Sequence, residues 1–223
     1  MSRITVPRGM TSASHVVESR MTSATLDHLT PLDERALDIL FREGRTSNSF
    51  SDEPVSPETL REIYEIAKFG PTAANSQPLR IVFLTNDEAK ARLLPLMADN
   101  NRPKTESAPV VAILAADADF NRRMPEVFPH APESEHWFGD LESRQRVAEF
   151  NAGLQVGYTI MAVRAVGLAA GPMNGFDHEA VDAEFFAGTN LHSVVVMNIG
   201  KPGDNPWFDR LPRLAYEDAV TVL

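Results

Sequence analysis

Apolar residues recur every three to four positions in the first part of the chain and on nearly successive positions in later runs, and that contrast sorts the elements. Leu32, Ala36, Leu37, Leu40 and Phe41 fall at helical spacing behind Thr30-Pro31, a capping residue followed by a proline whose missing N–H costs nothing in a first turn. The spacing predicts a helix ending near Glu43. Ser56-Pro57-Glu58 repeats that start, with Leu60, Ile63, Tyr64 and Ala67 on one face and Gly70 as the stop. The runs RIVFLT (80–85), PVVAILAA (109–116) and HSVVVMNIGK (192–201) read as strands. The second is apolar on successive residues, as a strand covered on both faces should be.

DEAKARLLPLMAD reads as a helix disturbed at Pro95, since proline removes one ladder bond and clashes with the preceding turn. The segment 122–140, with its prolines, glycines and the aromatics Phe128, Trp137 and Phe138, predicts a lid or long loop holding a short helix. The longest helical pattern spans 142–171 and carries Phe150, Leu154, Val156, Tyr158, Ile160, Met161, Val163, Val166 and Leu168 on more than one face. Such a helix is expected to be both the central helix of the domain and a subunit interface, with Gly153 and Gly157 permitting close helix approach. Asp177 caps a short helix over HEAVDAEFF, and the proline-bearing tail is expected to run along a surface before its last apolar residues dock.

A chain of 223 residues with 43% hydrophobic and 23% charged residues suits one globular domain with a substantial core. The expectation is a single domain over 25–223 behind a disordered extension over 1–24, a segment rich in Ser, Thr and Arg without an apolar secretory core. Met10 and Met21 are possible internal starts, and a transit-peptide reading of that segment stays open. A net charge of −10 repels phosphate backbones and anionic lipid, so no nucleic-acid or membrane partner is expected. The absence of cysteine excludes disulfides, thiolate zinc sites and a cysteine nucleophile, and fits a cytoplasmic address. The six histidines lack metal-ligand spacing, so no metal is expected.

Three polar clusters punctuate the apolar elements: EGRTSNSF (43–50), GPTAANSQP (70–78) and AAGPMNGFD (169–177). They offer hydroxyl, amide and backbone groups with almost no acid, which suits a neutral polar ligand with an anionic end. Arg45 has the planar donor fork for phosphate oxygens, and Thr46, Ser47 and Asn48 add hydrogen bonds. Each cluster is also readable as an ordinary turn after a helix, with Gly171 a C-cap.

Together these clusters resemble the FMN-dependent nitroreductase family: REGRTSNSF its phosphate-contacting arginine segment, GPTAANSQPLRIVFL its P-S-x-x-N-S-Q-P-W-x-F signature, and GLAAGPMNGFD its G-x-x-P-x-x-G-F segment. FPHAPESEHWF, FFAGT and RLPRL are closer still to the HadB/RutE-like branch, whose named activity is malonic semialdehyde reduction. Leu79 and Asn174 stand where many members carry Trp and Glu, which bears on substrate range.

The resemblance implies an α+β fold, a three-layer α-β-α sandwich around a mixed, mainly antiparallel sheet with a long buried central helix. It implies bound FMN, with NADH or NADPH as a transient reductant. Pro71, Thr72, Ala73 and Asn75 would hold the flavin, Asn75 bonding its pyrimidine edge between the two shape-fixing prolines Pro71 and Pro78. Gly171, Pro172, Met173, Asn174 and Gly175 would face flavin N5, Arg45 and Arg213 would hold the phosphate with Arg210 as a further candidate, and Lys104 would sit near N1 and O2. Arg122 and Arg123 could meet a substrate carboxylate, although a solvated basic pair is the more usual reading of such residues, and Lys104 is also readable as an exposed lysine at a strand entry. No catalytic side chain is expected, because the flavin carries the chemistry. The implied protein is a homodimer with FMN sites between subunits, passing hydride through flavin N5 by a ping-pong route to a small aldehyde acid. Nitroaromatic or quinone reduction is the alternative, and a non-catalytic flavin-binding module is the reading from another class.

Overall fold

The structure, a computed structural model, describes residues 30–223. The expectation for residues 1–24 lies outside the described residues. Glu34–Leu223 forms one compact unit.

Its elements follow the sequence pattern closely. Helix α1 (Glu34–Leu37) begins later than expected and widens into a π turn over Asp38–Arg42. Helix α2 (Pro57–Ala67) starts at Ser56, whose hydroxyl accepts from Thr59 N at 3.1 Å, and it buries Leu60, Ile63 and Ala67 while leaving Tyr64 exposed. Strand β1 (Leu79–Leu84) is followed by α3 (Asp87–Leu93), which tightens to a 3₁₀ turn over Leu94–Leu96 at Pro95. Then come α4 (Arg102–Ser107), β2 (Val110–Asp117) and the short α5 (Met124–Val127). Helix α6 (Leu141–Ala165) precedes β3 (Ala169–Met173), α7 (His178–Phe185), β4 (Leu191–Gly200) and α8 (Tyr216–Ala219).

The sheet has order β1-β2-β4-β3. Its three pairings are all antiparallel, in keeping with the mainly antiparallel sheet expected, and among the described residues none is parallel. Side chains alternate across β2: Val111, Ile113 and Ala115 join Leu93 of α3 and Val181 of α7, whereas Val110, Ala112 and Leu114 join Ile63 of α2 and Val163 of α6. A strand buried on both faces thus sits between two helical layers, each branched side chain contributing roughly 1.5–3 kcal/mol. The result is the expected α-β-α sandwich.

Helix α6 is capped by Asp140, whose carboxylate accepts from Ser143 N at 2.9 Å. It packs Ala148, Ala152, Val156 and Val163 against the sheet side, but its other face leaves Phe150, Leu154 and Tyr158 exposed. Gly153 and Gly157 lie on that bare face, and a Cβ added at either would meet nothing within 4 Å. The helix that looked apolar all round therefore has one face used within the chain and one unused.

Two local expectations fail. Residues 169–173 form a strand, where a turn after a helix was expected, and β3 lies at the sheet edge, where Pro172 is tolerated. The tail does not dock its last apolar residues: from Trp207 onward every residue is exposed, including Phe208, Leu211, Leu214 and Val222. No described helix is long and apolar enough to cross a membrane.

Candidate functional site

The segment after α1 is clamped on both sides. Ser47 N–H donates to Ala170 O of β3 at 3.3 Å, and Asn48 N–H donates to Pro206 O at 2.9 Å. Phe50 bridges to Pro202 in the segment that leaves β4. Held this way, Arg45 and Thr46 face the tail, where Arg45 Nη1 donates to Phe208 O at 3.3 Å. Arg45, Thr46 and Asn48 from this side and Arg210 and Arg213 from the tail line a cavity of about 280 Å³, joined by Arg164 from the last turn of α6.

Four arginines and a single carboxylate, Asp209, line that cavity. Burial first, and the neighbouring Arg210 second, hold the Arg164 guanidinium below its ordinary pKa. Such a concentration of like charge in a partly desolvated space is unfavourable without an anion and strongly favourable with one. Lys104 of α4 adds a cation alongside, its Nζ 3.5 Å from Asn48 Oδ1, and burial lowers its pKa from the ordinary lysine value.

Strand β3 abuts the same segment. A Cβ at Gly171 would lie 3.0 Å from Ser47 O and 3.3 Å from Phe50 Cζ, so Gly171 serves close approach of two backbones and is not a helix cap. The Ser47 hydroxyl is buried and donates to Ser49 O at 2.7 Å, so with its N–H on Ala170 O both of its donors are engaged within the fold. Met173 likewise turns into the core, its Sδ 3.9 Å from Thr105 Oγ1, so its side chain is not presented at the surface. Asn174 and Gly175 are exposed; Asn101 Nδ2 donates to Gly175 O at 2.9 Å and would be 2.6 Å from a Cβ there.

The loop 71–77 lies elsewhere. Ala74, Asn75 and Gln77 have φ of 49°, 53° and 43°, a left-handed path that non-glycine residues rarely adopt without being held. What holds it is α6: Asn151 Oδ1 accepts from Ala73 N at 2.7 Å, and Gln155 Oε1 accepts from Leu79 N at 3.0 Å. Asn75 Nδ2 donates to Val127 O at 2.8 Å and its Oδ1 accepts from Gln77 Nε2 at 3.0 Å, so within the chain its amide ties the loop to the end of α5. Pro71 and Ala73 are exposed and Thr72 is half-buried. Asn151 lies thirteen residues before Arg164 on α6, roughly 20 Å along the helix axis.

Of the sequence-derived residues, the fold therefore gathers Arg45, Thr46, Ser47, Asn48, Lys104, Gly171, Arg210 and Arg213 in one region, and Pro71, Thr72, Ala73 and Asn75 in another. Asn151, Gln155 and Arg164 escaped the sequence reading. The available signal was polar residues recurring at i and i+4 on an otherwise apolar helix.

A larger cavity of about 500 Å³ borders β1. Its cations are already matched: Lys68 pairs with Glu65, Arg80 with Asp117 and Arg123 with Glu126. Arg122 pairs with Asp119. The smaller cavity is the one with uncompensated charge, and it is the better anion site.

Fold and site together define an α+β sandwich that carries an arginine-lined anion cradle beside a glycine-bearing edge strand. The chain belongs to the nitroreductase family, whose model, described as "Nitroreductase family", matches residues 42–201. A protein of Streptomyces coelicolor named "Putative NADH dehydrogenase/NAD(P)H nitroreductase" is 50% identical over 193 residues, covering 86% of this chain and 98% of the relative. Among solved structures, a nitroreductase family protein of Streptococcus pneumoniae superposes with a TM-score of 0.71 at 22% identity, covering 82% of this chain and 98% of its own. A "putative nitroreductase in complex with FMN" from Exiguobacterium sibiricum gives 0.75 at 20% identity, covering 87% and 99%. These structures share the fold.

Proposed function

We propose that the protein is an FMN-dependent NAD(P)H oxidoreductase acting as a homodimer in the cytoplasm, and that its acceptor is a small aldehyde acid, malonic semialdehyde, which it reduces to 3-hydroxypropionate. The observation that carries the reading is the cradle of four arginines against one carboxylate, with Lys104 beside it. The donor set fits the cofactor: a phosphomonoester dianion matches the arginine forks, and Thr46 and Asn48 supply neutral hydrogen-bonding groups next to it. Arg45, Arg210 and Arg213 would hold the phosphate, and Lys104 would favour negative charge near the ring. The backbone of Gly171, Pro172, Met173, Asn174 and Gly175 would lie close to the ring without competing side chains.

Bound FMN supplies two-electron chemistry, so that NAD(P)H, a proton and OHC–CH₂–COO⁻ become NAD(P)⁺ and HOCH₂–CH₂–COO⁻. The protein's part is to bind, orient and exclude water. Its loop 71–77 is anchored at Asn151, roughly 20 Å along α6 from the Arg164 end where the cradle lies, which supports a site completed by that loop from a second copy. The unused face of α6 and the exposed apolar tail support the same assembly, since contiguous apolar surface of this kind marks an interface.

The name of the Streptomyces coelicolor relative favours a second reading, nitroaromatic or quinone reduction by the same cofactor. Anaerobic reduction of the purified protein with NADH or NADPH, followed by an acceptor panel, separates the two. Bleaching of a yellow protein and its recovery with malonic semialdehyde is expected. Turnover of nitroaromatics alone would refute the aldehyde assignment, persistent yellow would indicate a binding module, and a colourless folded protein that takes up no FMN would refute the whole reading. Sedimentation should give a dimer, and removal of residues 207–223 should yield folded monomer.

A further inference from the structure

We infer that Arg164 is a binding residue of the anion cradle, the cation that sets how strongly a phosphorylated ligand is preferred over its unphosphorylated parent. The inference rests on the reading of this cavity as a phosphate site. Arg164 lies outside the polar clusters 43–50, 70–78 and 169–177, yet the fold carries it from the end of α6 to the wall shared with Arg45, Arg210 and Arg213. Its guanidinium lies flat over the backbone of Gly44, where an added Cβ would be 2.5 Å from Cζ and 2.6 Å from Nη1. Gly44 is therefore the space that this side chain needs, and the two together shape the approach to Arg45.

A purely structural arginine would spend its donors on the protein. Arg164 Nη1 does donate to Leu40 O at 2.8 Å and more weakly to Met161 Sδ at 3.8 Å, but Nε is buried with no partner. The tie to Leu40 asks only for a neutral donor. The C-terminal end of α6 favours a cation modestly, but half-burial and the neighbouring Arg210 oppose a full charge here and lower its pKa. A bound dianion offsets that opposition: four arginines and Asp209 leave the cradle with an excess of positive charge that a phosphomonoester neutralises.

The test compares FMN with riboflavin on R164M, R164K and G44A, by flavin fluorescence titration at several salt concentrations. R164M should weaken FMN binding roughly 10- to 100-fold, the worth of a charge-assisted contact, and leave riboflavin binding within about twofold. The salt dependence of FMN affinity should become shallower, and R164K should recover part of the preference. G44A keeps the charge but displaces the guanidinium, so it should lower the FMN-to-riboflavin ratio as well and decides the matter should R164M not fold. Equal weakening of both flavins, or an unchanged ratio, would overturn the inference. If the wild type takes up no flavin, inorganic phosphate becomes the probe. A rise in Tm with phosphate that R164M and G44A lose and R164K keeps in part would sustain the cradle while the FMN reading falls; no rise in the wild type would overturn both.

Discussion

Replacing Asn151 with alanine should loosen the loop 71–77 without touching it. Asn151 is 2% exposed and makes two hydrogen bonds, accepting from Ala73 N at 2.7 Å and donating to Val147 O at 2.8 Å. Val147 O belongs to the helix interior, where its ladder partner remains. The Ala73 N–H loses its only acceptor, but Ala73 is exposed and water can replace it, which keeps the cost near the lower end of that for an orphaned donor, about 1–2 kcal/mol. For a chain of this size that is a fall in Tm of roughly 2–6 °C. The larger effect is on function: the left-handed path through Ala74 and Asn75 is no longer held, so ordering it on cofactor binding costs more, and FMN affinity should drop by roughly 3- to 10-fold. Urea unfolding of cofactor-free protein at one fixed concentration, with an unchanged m value, reads the first effect, and FMN titration reads the second. Asn151→Asp sharpens the test. It keeps the acceptor for Ala73 N but places a carboxylate against Val147 O, so its deficit should shrink as the pH falls and the acid gains a proton to donate. Stability of Asn151→Ala within 0.3 kcal/mol of wild type, together with unchanged amide exchange at Ala73, would refute the anchoring role.

Other outcomes follow from the same geometry. Ala74→Gly removes a non-glycine residue from φ 49°, and relief of roughly 1–2 kcal/mol of backbone strain against about 0.5–1 of glycine entropy leaves a net gain of about 0.5 kcal/mol; a loss measured by urea unfolding would refute it. Lys104→Met deletes a cation whose pKa is depressed by burial. The penalty for charging Lys104 exists below its folded-state value and fades as the pH rises towards the unfolded one, so the variant should be more stable than wild type at neutral pH, converge with it in alkali, and bind FMN less tightly. Asp140→Asn retains a cap for Ser143 N but not the carboxylate, whose pKa that hydrogen bond lowers. The wild-type contribution is present above the unfolded carboxylate value and is lost as the pH falls through the folded one, so the variant should show a flatter acid limb in stability against pH.

The sequence by itself determined the parts whose causes are local. Ser56 and Asp177 cap the helices they precede, Pro95 tightens the end of α3, and the apolar run of β2 is buried on both faces, because caps, prolines and periodicity act within a turn or a pleat. It also marked the segments that hold Arg45, Gly171 and Arg213. Tertiary structure decided the rest. AAGPM is a strand only because β4 pairs with it, setting Gly171 opposite Asn198; alone, its glycine and proline read as a turn. Asn151, Gln155 and Arg164 acquire meaning only when α6 is laid across the sheet, bringing one end to Ala73 and the other to Gly44. The tail's apolar residues gave no sign that their own chain would leave them exposed. Burial and charge compensation depend on which distant segments meet, and that is a property of the packed molecule, where a short window of sequence has no access to it.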